Sequence, residues 1–126
     1  MAEQVTGLAE EVLKIAGALR RRRTLSAAVQ RDLLALRLAP VLAVHHRILY
    51  GTENVLWDTV GKRMGSDWRD VQAAALGTGG ESLETGCAAA VELFRLAANS
   101  IWELLDEPQR AVVTHALQAG SGTAGA

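Results

Sequence analysis

The sequence predicts an all-α protein, a compact bundle of about six helices, and three observations predict it. Ala and Leu dominate the 126 residues, and both are strong helix formers. Apolar positions recur at steps of three and four along most of the chain, the period of a half-buried helix. Only two prolines occur, and long β-branched runs that would mark strands are missing. The length is that of one domain, large enough to bury a core without staples. With 49 % hydrophobic and 21 % charged residues the balance is globular. Aromatics are scarce at 4 %, so the core is expected from Leu, Val, Ile and Ala.

The first helix, "AEQVTGLAEEVLKIAGALRRRR", sets Val5, Leu8, Val12, Ile15 and Leu19 on one narrow stripe. Such a seam packs inside a bundle or against a copy of itself, and a homodimer through helical surfaces is expected. Glu10 and Lys14 stand at i,i+4. Arg20, Arg21, Arg22 and Arg23 fill the last turn, where cations favour the helix dipole. Two readings stand for them: a solvated turn, or a contact to nucleic acid or an acidic partner. Consecutive side chains point all round a helix, so one flat patch is not expected.

"TLSAAVQRDLLALRLAPVLAVHHRILYG" reads as a second, central helix, capped by Thr24 or Ser26 and stopped at Gly51. Pro40 inside it leaves the Leu36 carbonyl without its amide partner and predicts a kink. "TENVLWDTVGKRMG" should turn Val55, Leu56, Val60 and Trp57 inward and end at Gly65. Ser66 or Asp67 would cap a short helix, "WRDVQAAAL", with Gly77 just past its end. A long helix follows from about Leu83 to Leu105, with Cys87, Val91, Phe94, Ala98 and Ile101 on one side. Asp106 and Gln109 have capping-box spacing ahead of the last helix, with Pro108 in its first turn. The packed domain is expected over residues 1–118. Residues 119–126 have no core-forming side chains and read as a disordered tail.

Composition narrows the function. The single cysteine, Cys87, leaves no internal disulfide and no cysteine-built zinc site. No signal peptide is visible. The most apolar stretch, Leu33 to Val44, is short and carries Arg37, so no membrane span and a cytoplasmic location are expected. The formal net charge is −1, but the halves differ. Residues 1–50 hold eight Lys/Arg and four Asp/Glu, and residues 51–126 hold five and ten. His45 and His46 are adjacent and about 100° apart on a helix, unsuited to sharing one metal. No metal or other cofactor is expected, and no catalytic set assembles from the carboxylates. Trp57, Trp68 and Trp102 stand out in an aromatic-poor chain. They are core residues, or they wall a ligand pocket with Arg37, His45 and His46 near Pro40.

"SDWRDVQAAALG" and "CAAAVELFRL" carry a family resemblance. Gly65, Trp68, Asp70, Val71, Ala75, Leu76 and Gly77, then Ala88, Ala89 and Phe94, match positions of small helix-turn-helix regulators of high-GC Gram-positive bacteria. The segment resembles that family over roughly residues 33–96. The resemblance implies a helix-turn-helix-like corner and a role in transcriptional control. Two departures bear on DNA reading: "TGGESLETG" is longer than the family's turn, and Glu81 and Glu84 open the would-be reading helix. The expectation is a regulatory or adaptor protein with a degenerate corner, acting through transcription or a protein partner. The alternative is a small-molecule binder or small helical enzyme using the Trp/His pocket.

Overall fold

The computed structural model describes residues 2–49 and 51–124, without the side chains of residues 53 and 122–124. Among them the chain is all α: α1 (Ala2–Gly7), α2 (Ala9–Arg20), α3 (Thr24–His45), α4 (Leu56–Met64), α5 (Ser66–Ala75), α6 (Leu83–Ser100) and α7 (Glu107–Ala124). Single 3-10 turns at Glu53–Val55 and Trp102–Leu104 lead into α4 and follow α6. The expected first helix is split at Gly7 and Leu8, where the Leu8 amide reaches both the Gln4 and the Val5 carbonyls. Its seam is spent within the bundle. Val5, Val12 and Ile15 are fully buried and Leu8 nearly so, while Leu19 at its end is half-buried.

The inner rods are α3 and α6, packed on each other, with α2 and α7 along one side and α4 and α5 along the other. Residue spacing on α6 explains its place. Gly86, Cys87, Ala90, Val91, Leu93, Phe94, Ala97 and Ala98 are all buried, so two faces are apolar and α1, α2, α3, α5 and α7 close over them. The α5–α6 corner is a close helix pair. Its exit is set by Gly77 at φ 75°, with the Thr78 amide bonded to the Ala73 carbonyl and that of Gly77 to Ala74, a Schellman end.

Ends of helices differ in part from the expectation. Asp106 and Gln109 do form the reciprocal capping box, at 2.8 and 2.9 Å. Ser82 caps α6 by accepting from the Thr85 amide. Ser66 and Asp67 are instead inside α5; Gly65, at φ 105°, makes the break between α4 and α5. Helix α3 continues through Pro40 and stops at His45, short of Gly51. Val55 is exposed at 43 %, not turned inward.

The largest correction is at the C-terminus. Residues 119–124 continue α7 instead of forming a structureless tail. Gly120 is buried, and a Cβ there would stand 2.7 Å from Val91 Cγ1 and 3.1 Å from Val12 Cγ1. Small residues carry no apolar signal, but they let α7 lie close against α2 and α6. Gly125 and Ala126 lie outside the described residues.

Candidate functional site

The basic run does not behave as the last turn of one helix. Helix α2 ends at Arg20, and Arg22 sits in the left-handed region at φ 55°. The Arg23 amide donates to the Ala18 carbonyl at 2.9 Å and that of Arg22 to Leu19 at 3.2 Å, a Schellman end with arginine where glycine is usual. This reversal changes the directions of the side chains. Arg20, Arg21 and Arg23 line one groove of about 540 Å³ with Lys14, Ser26 and Gln30, while Arg22 is exposed beside it. Gly17 forms bare backbone in this groove. A Cβ there would lie 3.9 Å from an Arg21 Nη and 4.0 Å from an Arg20 Nη, so two guanidinium groups flank the same strip.

Among the described residues, Arg20, Arg21, Arg22 and Arg23 form no ion pair or hydrogen bond through their side chains. Glu10 lines the groove without pairing to them. Nor does it pair with Lys14 at i,i+4; Lys14 Nζ lies 3.7 Å from Glu11 on the next face. Gln30 Oε1 is buried in the wall with no partner. In the sequence Lys14 is read only as an i,i+4 partner of Glu10, and Gln30 is not singled out. The signal for Lys14 was present, because residues 10, 14, 17 and 21 share one helical face.

The residues expected around Pro40 fall into separate groups. Trp68 is core, 1 % exposed, and its indole N–H donates to Gln72 Oε1 at 3.2 Å. Gln72 Nε2 in turn donates to the Trp57 carbonyl at 3.4 Å, so one buried amide ties α5 to α4. The Trp57 ring is half-buried, and its own indole N–H is buried with no partner. Trp102 sits apart, at the end of α6. Arg110 from α7 donates to its carbonyl at 3.0 Å and stacks 5.3 Å from its ring centroid. Arg37 is exposed on α3 and joins none of them.

His45 and His46 meet edge to face at 4.5 Å between ring centroids. His46 Nε2 lies 3.4 Å from Ser100 Oγ, whose proton is given to the Ala97 carbonyl at 2.8 Å. With the Ser100 hydroxyl directed to that carbonyl, its oxygen is left to accept from the Nε2–H tautomer of His46. Burial, with His45 and Arg63 nearby, holds the His46 pKa below the usual histidine value. No group of three or more His, Cys, Asp or Glu side chains among the described residues could hold a metal ion. Likewise none of the described helices is long and apolar enough to cross a membrane.

Cys87 is buried, its Sγ 3.9 Å from the Ala27 carbonyl, and burial pushes its thiol up to about 11. That is a packing residue, not a nucleophile. No protein-family model, curated protein or solved structure matches the chain.

Proposed function

We propose that this chain is a small, non-enzymatic helical regulator or adaptor that recognises an acidic protein segment through the α2–α3 corner. One observation carries the reading: Lys14, Arg20, Arg21 and Arg23 converge on a single groove, and among the described residues no carboxylate forms an ion pair with the arginines. Guanidinium groups held side by side on a tight turn suit the forked geometry of carboxylates. Duplex DNA is the weaker partner. Glu84 opens α6 with Glu81 just ahead of it, and helices cover two faces of α6, which leaves little of it to enter a groove. On this reading the resemblance to helix-turn-helix regulators lies in the packing positions of the α5–α6 corner, not in base reading.

The test is fluorescence anisotropy with a labelled polyglutamate peptide and a labelled duplex, each at low and physiological salt. The peptide should bind, and more weakly as salt rises. Removing three exposed charges, at about 0.5 kcal/mol each, should cost about tenfold in the Arg20→Ala, Arg21→Ala, Arg23→Ala variant. No peptide binding at low salt would overturn the reading. Equal or tighter binding of the duplex, with the same arginine dependence, would transfer the groove to nucleic acid.

A small-molecule site beside α4 and α5 is the second reading, favoured by the unpartnered indole N–H of Trp57. A bound acceptor would satisfy that donor. Tryptophan fluorescence against a metabolite panel tests it, and a flat response removes it.

A further inference from the structure

The fold leaves one long apolar face open, and it lies on an inner rod. Leu25 is 78 % exposed, Val29 45 %, Leu36 43 % and Val44 69 %, all on α3, with half-buried Leu33 and Pro40 between them. Their spacing is four, four, three, four and four. At 3.6 residues per turn these six positions fall within an arc of roughly 100°, and they run for about 28 Å. A solvated helix face is normally polar, and scattered exposed apolar residues need no explanation. A continuous stripe of this length marks a surface that another molecule covers.

The charges beside the stripe indicate what covers it. Asp32 and Arg37 lie on opposite edges, five residues apart, around Leu33 and Leu36. This is the arrangement in which parallel paired helices exchange ion pairs, residue i on one meeting i+5 on the other. We infer that the partner is a second copy of this chain, its α3 packed parallel on this α3. In that pairing Leu25, Val29, Leu33, Leu36, Pro40 and Val44 meet their equivalents, and Asp32 of each copy faces Arg37 of the other. Arg37 is exposed and makes no ion pair among the described residues. The Asp32 side chain is 48 % exposed, with Arg31 Nε 2.9 Å from one carboxylate oxygen. The antiparallel alternative sets Asp32 on the side of its own equivalent, and Arg37 likewise, which is repulsive.

A single helix face about 28 Å long offers well under the ~800 Å² per partner of a standard interface. Association is therefore reversible, at micromolar rather than nanomolar concentration. The parallel arrangement also sends both α2–α3 corners to the same end of the dimer. The groove lies at the Ser26 and Gln30 edge of α3, so the twofold places the two grooves on opposite sides of the pair.

Sedimentation velocity of the full chain across micromolar to submillimolar concentration tests this, with circular dichroism to check folding. The wild type should shift from monomer to dimer. Leu36→Glu, at a position outside the core, should remain monomeric with unchanged helicity. Arg37→Asp should weaken the dimer, and Asp32→Arg with Arg37→Asp should restore it. Val29→Cys should cross-link to its own equivalent under oxidation, since Cys87 is too buried to compete.

A monomer throughout the range overturns the inference, as does a dimer indifferent to Leu36→Glu. A dimer strengthened by Arg37→Asp, with no Val29→Cys cross-link, overturns the parallel pairing. None of these variants alters the groove arginines, so failure here is separable from failure of peptide binding.

Discussion

His46 shows how a single side chain can link stability to pH. Its pKa is lowered in the folded state, so the unfolded chain binds more protons between the two values. Stability from this group is full above the ordinary value of 6.5 and is lost as pH falls through that value toward the folded one. Replacing it by Gln should flatten the acid side of a melting-temperature profile below about pH 7. An unchanged profile would mean that His46 is solvated. The same scale separates what was legible from what was not. That Trp68 would need a partner follows from its indole N–H, and Gln72 stands at the readable i+4 position. That Gln72 also reaches the Trp57 carbonyl depends on how α4 meets α5, which no local pattern contains. For the same reason a shortage of aromatics singled out three tryptophans without indicating that Trp102 would be held separately by Arg110.

Helix ends were the most and the least readable elements. Asp106 and Gln109 are close in sequence and their exchange is local, so spacing alone predicts it. The arginine run was expected to be helical throughout, and a helix would have spread it; the left-handed Arg22 gathers three of its members instead. Arg47 repeats the device at the end of α3, at φ 53°, with the Ile48 amide bonded to the Ala43 carbonyl at 2.8 Å. A left-handed conformation costs a side-chain-bearing residue about 1–2 kcal/mol, partly offset here by a cation at a helix C-terminus. At position 22 the usual helix order should therefore invert. Arg22→Gly should be more stable than Arg22→Ala by about 1 kcal/mol in urea denaturation. Ala equal to or better than Gly would contradict the Schellman end. Residues 119–124 show the opposite difficulty. Their helix is held by the fit of Gly120 between Val91 and Val12, and an Ala/Gly/Ser composition gives no sign of that.

At the scale of the molecule, one core surrounds α6, and Cys87 near its start reports on that core. The thiol is fully buried with its pKa raised to about 11, so reaction with a thiol reagent should require unfolding. Its rate should fall with the global unfolding equilibrium in a urea series extrapolated to water; fast labelling of the native chain would place α6 at a loose edge. The sequence by itself determined the helical class, the helix boundaries at Gly65, Gly77 and Asp106, and which residues are apolar enough to be buried. Those properties depend on neighbours three or four positions away. Only the tertiary structure decided which apolar face is used. The seam from Val5 to Ile15 on α1 and α2 is consumed in the core, while the α3 stripe from Leu25 to Val44 stays open. It also decided that Arg20, Arg21 and Arg23 share a groove with Lys14. Burial and convergence are set by distances between elements, and a periodic pattern specifies a face without specifying what lies against it.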